Sequence, residues 1–163
     1  DVKMIEKGVN VLLTDDLRWK RCDIKSISLL PNVLEKQNAH ENGMYESWQK
    51  RNNYITEGST SNAFIVNCNN EIQTHPANNY ILGGVTRDTV IDIARNSKFI
   101  VKEDAFTKSD LLNCKEAFLT STTARILPVI SVGKKKICNG RPGEITKTLI
   151  AKYNELIKSQ SDE

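Results

Sequence analysis

The sequence predicts one mixed α/β domain, with much antiparallel strand and helices between the strands. Three observations carry that reading. Short apolar, β-branched runs recur from residue 9 to residue 132, bounded by Asn, Gly and hydroxyl residues. Asn52-Asn53 and Cys68-Asn69-Asn70 sit between such runs and have the composition of hairpin turns. Longer stretches carry apolar residues at helical spacing.

In chain order, VNVLLT (9–14) reads as a buried strand ending at Asp15-Asp16. The polar, irregular DLRWKRCDIKS follows. LLPNVLEKQNAHENG (29–43) is a helix, with Leu30, Val33, Leu34 and Ala39 near one face, Pro31 in its first turn and Gly43 at its stop. YESWQKR (45–51) alternates like a half-buried strand, Asn52-Asn53 turns it, and NYITEG runs back. NAFIVN and EIQTH form a second hairpin.

After Gly83-Gly84, TRDTVIDIARNS is a helix with Thr86 as its N-cap and Val90, Ile91 and Ala94 at helical spacing. FIVKED is a short strand, and TKSDLLNC a capped short helix. EAFLTS and ILPVISVG are strands, the first ending at Ser121-Thr122-Thr123, and KKKICNG a turn or hairpin. GEITKTLIAKYNELIKSQ closes the chain as an amphipathic helix with a stripe of Ile145, Leu149, Tyr153 and Leu156.

Composition narrows the function classes. A chain of 163 residues suits one domain, and 39% hydrophobic with 26% charged residues is ordinary for a soluble globular protein. The net charge of +3 is slight, and the lysines at 134–136 read as a solvated turn, so no nucleic-acid partner is expected. The apolar runs are too short to span a bilayer, and the charged first segment lacks a secretory pattern. Four scattered cysteines and two histidines give no zinc spacing, and reduced thiols in a cytoplasmic protein are expected. The chain starts at Asp1 and its first strand follows within ten residues, which suggests a piece of a longer protein.

Four segments look unusual for pure scaffold. RWKRCDIKS carries Lys25, although a lysine is by default a surface residue. ITEGSTSN sets Glu57 at a strand end before a dense run of small hydroxyl residues, which would also make a plain turn. ILGGVTRD places two glycines before a helix start, where free N–H groups suit a phosphate or simply a good cap. LTSTTAR ends a strand in three hydroxyl residues that could grip a second side of the same anion.

Together and in this order, the segments resemble one family. RWKRCDIKSISLLPNVLEKQNA, ITEGSTSNAF, THPANNYILGGVTRD and LTSTTARILPV are similar to the fold-type IV (class IV) pyridoxal-phosphate-dependent aminotransferases, and within them to the D-amino acid branch. The likeness covers nearly the whole chain. It implies the family's large C-terminal, cofactor-binding domain over 1–163: a mixed and antiparallel pseudo-barrel of strands with surrounding helices.

The resemblance also implies roles. Lys25 would form the Schiff base with pyridoxal 5'-phosphate and then shuttle the proton, because the chemistry needs an amine for both tasks. Glu57 would pair with the pyridine nitrogen and keep the ring protonated. Val85 and Thr86 would grip the phosphate at a helix start, with Ser121 and Thr122 as the second half of that grip. Ser59, Thr60 and Ser61 would position the ring, and Leu82 would pack on its face. No metal is implied.

The implied reaction moves an amino group from a D-amino acid such as D-alanine, D-glutamate or D-aspartate to a 2-oxo acid, in a cytoplasmic, bacterial homodimer. The family's smaller N-terminal domain, which supplies further phosphate and substrate contacts, would lie outside this chain. Alternatives are a branched-chain amino acid transaminase or an aminodeoxychorismate lyase of the same fold, or a domain without catalysis of its own. Arg18, Trp19, Arg21 and Cys22 read as structural support for the lysine loop, His75 as structural, and Arg87 with Asp88 as an ion pair or dipole contact.

Overall fold

The computed structural model describes residues 2–161; Asp1, from which the expectation of a longer protein started, lies outside them. A short helix the sequence pattern did not announce comes first, α1 (Val2–Lys7). Only Met4 and Ile5 lean on the core, so its six residues carry too little apolar periodicity to be read. Gly8, at φ 76°, ends it by donating to Met4 O at 2.9 Å, and a Cβ there would strike Ile130.

The chain then enters β1 (Val9–Asp15), crosses an irregular segment and forms α2 (Leu30–Glu41). The expected apolar stripe of α2 is a correction. Ala39 is buried, but Leu30, Val33 and Leu34 are 68%, 58% and 59% exposed. The helix docks through polar groups instead. Ser47 Oγ donates to Glu35 O at 3.0 Å, Lys36 Nζ to Tyr45 O at 2.8 Å, and Asn32 Nδ2 to Ser59 O at 2.9 Å.

Next come β2 (Glu46–Arg51) and β3 (Tyr54–Gly58), joined by Asn52 and Asn53 at φ 49° and 69°, as a primed hairpin turn requires. The alternation expected of β2 is absent: Glu46, Ser47, Trp48 and Gln49 are all buried, because α2 covers one face and the main core the other. The hairpin β4 (Asn62–Val66) with β5 (Ile72–Thr74) pairs Phe64 with Thr74.

Helix α3 (Val85–Asn96) buries Val90, Ile91 and Ala94 as read, but its N-cap is Gly84, at φ −76° and ψ 136°, and not Thr86. Thr86 lies inside the first turn. Residues 101–102 form only a two-residue strand, β6 (Val101–Lys102). Thr107 caps α4 (Lys108–Asn113) through a reciprocal capping box with Asp110. β7 (Glu116–Ser121), β8 (Arg125–Val132), β9 (Lys135–Lys136) and α5 (Glu144–Ser161) complete the chain. Glu116 receives the Ile145 and Thr146 N–H groups at 3.0 and 2.8 Å, capping α5 from the sheet.

The strands form one mixed sheet in the order β3-β2-β1-β8-β7-β4-β5-β6, with β9 on β8. β1 runs parallel to both β2 and β8, and β7 pairs antiparallel with both β8 and β4. One core centres on Val11, Trp48, Ile65 and Leu119. A second lies under α3 and α5, around Phe64, Phe118, Val90 and Leu149, with the Phe64 and Phe118 rings stacked 4.8 Å apart. The curled sheet with helices around it agrees with the expected fold class. No described helix is long and apolar enough to cross a membrane.

Candidate functional site

One cavity of about 500 Å³ opens where four segments converge. They are the irregular stretch before α2, the connection from β3 to β4, the loop into α3, and the end of β7. This volume suits a small ligand. All ten residues singled out in the sequence line it: Lys25, Glu57, Ser59, Thr60, Ser61, Leu82, Val85, Thr86, Ser121 and Thr122. Lys25 stands exposed in its loop, while Glu57 is buried at the end of β3.

Glu57 is held on both oxygens. Arg18 Nη1 donates to Oε1, while Asn62 Nδ2 and the Leu82 N–H donate to Oε2 at 2.9 and 3.0 Å. Burial pushes the Glu57 carboxyl up to about 7, against the opposing pull of the Arg18 charge and hydrogen bond. Arg18 is tied in turn to Asp16, Nε to Oδ1 at 3.0 Å and Nη2 to Oδ2 at 2.9 Å. Arg18 therefore does more than support the lysine loop.

The hydroxyl run is held from below by Glu46. That buried carboxylate accepts the Thr60 N–H at 3.2 Å, the Thr60 hydroxyl at 2.9 Å and the Ser61 hydroxyl. Burial raises the Glu46 carboxyl, and the Ser61 and Thr60 hydrogen bonds oppose that rise. Gly58 is needed beside it, because a Cβ there would meet the Glu46 carboxylate and the Ser61 hydroxyl.

The opposite requirement, free donors, is met at the rim. No side chain caps α3, and its first backbone bond runs from the Asp88 N–H to Gly84 O at 3.0 Å, so the amides of the first turn have no intrahelical partner. Ser121 Oγ accepts the Ala124 N–H at 3.1 Å, leaving its own proton free to donate. Ser59 Oγ and Thr120 Oγ1 line the cavity wall, buried and without a partner. An amine, a buried carboxylate, orphaned hydroxyls and an uncapped helix start fit pyridoxal phosphate, with its aldehyde, ring nitrogen and phosphate.

Arg18, Asn62, Glu46 and Thr120 were not picked as site residues from the sequence. Arg18 and Glu57 are 39 positions apart, and Glu46 and Thr60 are 14 apart, so spacing alone gives no signal. The Asn directly after the EGSTS run was the one available hint. Arg87 is fully buried and does pair with Asp88 at 2.8 Å, as read, and also with Glu103 at 2.9 Å and His75 O at 2.9 Å, so it serves the scaffold. Among the described residues no cluster of three or more His, Cys, Asp or Glu could hold a metal.

Residues 4–132 match the family described as Amino-transferase class IV. The chain is 40% identical over 156 residues to the D-alanine aminotransferase of Bacillus licheniformis, covering 96% of this chain and 55% of that protein. It is 42% identical over 157 residues to the D-alanine aminotransferase of Staphylococcus aureus strain N315, with the same coverage. It thus spans about half the length of the curated relatives it matches.

Among solved structures, the Escherichia coli branched-chain amino acid aminotransferase superposes with a TM-score of 0.84 at 27% identity, covering 96% of this chain and 53% of that one. The Thermobaculum terrenum branched-chain enzyme, in its pyridoxal-phosphate form, superposes with a TM-score of 0.86 at 26% identity, covering 93% and 52%. By sequence and by fold, the chain belongs to the class IV aminotransferases.

Proposed function

We propose that this chain is the cofactor-binding domain of a D-amino acid aminotransferase, completed by a smaller N-terminal domain and acting as a cytoplasmic homodimer. The observation that carries the reading is the convergence of Lys25, Glu57 and the uncapped start of α3 on one cavity. Identities of 40% and 42% to D-alanine aminotransferases, against 27% and 26% to the branched-chain enzymes, favour D-amino acid donors and 2-oxo acid acceptors.

Bound pyridoxal phosphate supplies an aldehyde for the amine and a ring that takes up the electron pair released at the substrate α-carbon. Lys25 would offer the amine that holds the cofactor and, as a free amine, would move a proton at the substrate α-carbon. Glu57 would pair with the ring nitrogen and hold a proton there. Val85 and Thr86 would donate backbone N–H groups to the phosphate, and Ser121 and Thr122 would close on its other side. Leu82 would pack on the ring, and Ser59, Thr60 and Ser61 would orient it.

The test is chemical. Pyridoxal phosphate is added, a visible absorption band is sought, and borohydride then fixes the cofactor to its lysine for mapping by mass spectrometry. Label on Lys25 supports the proposal; label on another lysine, or on none in the full-length enzyme, overturns it. Coupled assays of the full-length enzyme with D-alanine, L-leucine and aminodeoxychorismate then separate the D-amino acid reading from its sibling activities.

A further inference from the structure

Behind Glu57 lies a buried group that the proposed chemistry does not use. The Asp16 side chain is fully buried just past the end of β1. Its two oxygens accept the Arg18 backbone N–H at 3.0 Å, Arg18 Nε at 3.0 Å, Arg18 Nη2 at 2.9 Å and the Thr56 hydroxyl at 2.9 Å. Arg51 Nη2 pairs with it at 3.2 Å. This binding takes one fork of the Arg18 guanidinium and leaves Nη1 for Glu57.

The charges in this pocket are two carboxylates, Asp16 and Glu57, and two guanidiniums, Arg18 and Arg51. Two further titratable groups nearby, Cys22 and His75, are neutral near pH 7. Burial pushes the Cys22 thiol up and the His75 imidazole down. Asn62 and the Leu82 N–H hold Glu57 without charge, the Tyr80 ring lies under Arg51, and Lys25 lines the same cavity as Glu57. Arg18 is therefore the cation in contact with Glu57, and Asp16 is the anion in contact with Arg18.

We propose that Asp16 is a positioning residue, which fixes Arg18 and offsets its charge so that Glu57 keeps a proton affinity suited to sharing a proton with a ring nitrogen. An uncompensated guanidinium in a buried site would hold Glu57 firmly as a carboxylate, a poorer proton partner. Asp16 acts through Arg18 and does not touch the cavity: it is absent from the lining, whereas Arg18 and Glu57 are both on it. The role of the ring nitrogen rests on the function proposed above; the coupling of Asp16 to Glu57 does not.

The coupling is read on this chain without cofactor, by carbon-13 NMR of glutamate carboxyls, with the Glu57 signal assigned by its loss in Glu57→Gln. In Asp16→Asn the Glu57 midpoint is expected to fall by about one pH unit or more, the effect of one nearby charge left unbalanced. In Asp16→Glu it stays near the wild-type value. In an Arg18→Met background the Asp16→Asn shift is expected to shrink below half its size, as a double-mutant cycle demands of a residue that acts through another. Arg51 touches Asp16 but not Glu57, and Arg51→Gln is expected to move the midpoint upward, by freeing Asp16 to neutralise Arg18 more fully.

A folded Asp16→Asn with an unmoved midpoint, or an undiminished shift without Arg18, overturns the proposal. If Asp16→Asn does not fold, Arg51→Gln decides it, and an unmoved or lowered midpoint there overturns it. Failure of Lys25 to take pyridoxal phosphate would defeat the proposed function and leave these titrations standing. An unmoved midpoint with Lys25 still labelled would defeat this inference alone.

Discussion

Asn62 straps Glu57 to the loop that enters α3: one amide nitrogen donates to Glu57 Oε2 at 2.9 Å and to Leu82 O at 2.8 Å. Asn62→Leu removes both donations, leaving Oε2 with the Leu82 N–H and Leu82 O without that donor. The expected loss is about 1–3 kcal/mol in the unfolding free energy of the cofactor-free chain, read by urea titration. A loss inside experimental error would show that water replaces the amide at no cost.

The pH dependence of stability has a defined sign. An unfolded glutamate titrates near ~4.3, and burial lifts Glu57 to about 7 in the fold. Between those values the folded chain holds a proton that the unfolded chain has lost, so this contribution is full in acid and disappears as pH rises through about 7. It amounts to at most about 4 kcal/mol. Glu57→Gln should flatten the fall between pH ~4.5 and ~7.5 in chemical unfolding. Asp16 works in the other direction. Burial alone would raise its carboxyl, but the Arg18 hydrogen bonds and charge hold it below the usual range, so its contribution is lost as acid is added.

Gly58→Ala should be costly out of proportion to one methyl group. The added carbon would land on the Glu46 carboxylate and the Ser61 hydroxyl, both buried. Overpacking of this kind costs about 1–3 kcal/mol. Relief requires the 59–61 turn to move, so affinity for pyridoxal phosphate should fall with stability. A spectroscopic titration giving wild-type affinity would refute the link between Glu46 and the turn.

Leu149→Ala is the complementary case. Leu149 is fully buried on the inner face of α5, in the core of Phe118 and Val90 and off the cavity lining. Truncation should cost about 2–5 kcal/mol. Pyridoxal phosphate should bind the folded remainder within about twofold of wild type, ~0.4 kcal/mol. A larger loss of affinity would mean that the core under α5 sets the shape of the site.

The sequence carried the strands and turns because they are local. VNVLLT, the Asn52-Asn53 turn and the Thr107 cap are each written within a few neighbouring residues. The class IV resemblance supplied the ten cavity residues, and each was already flanked by distinctive neighbours. Non-local electrostatics was not legible. Nothing near Asp16 announces that its carboxylate will meet Thr56 and Arg51, and nothing near Glu46 announces the 59–61 turn. The helix over 30–41 misled for a different reason: apolar periodicity gives a face, and does not say whether the sheet or the outside receives it. Thr86 misled as a cap because hydroxyl preference outranks glycine in composition, whereas the close approach of Asn62 to Gly84 leaves no room there for a side chain.

The connection from Glu57 to Asn62 joins strands that stand far apart in the ladder, since β2, β1, β8 and β7 lie between β3 and β4. Those intervening pairings include Val9 with Val129, on strands far apart in the sequence. Closing such long loops is slow, and nothing local can speed it. The sheet that carries the cavity wall therefore completes late in refolding. Cofactor uptake should lag behind secondary structure in a stopped-flow refolding trace, which makes pyridoxal phosphate a kinetic reporter of the last step in the assembly of the sheet.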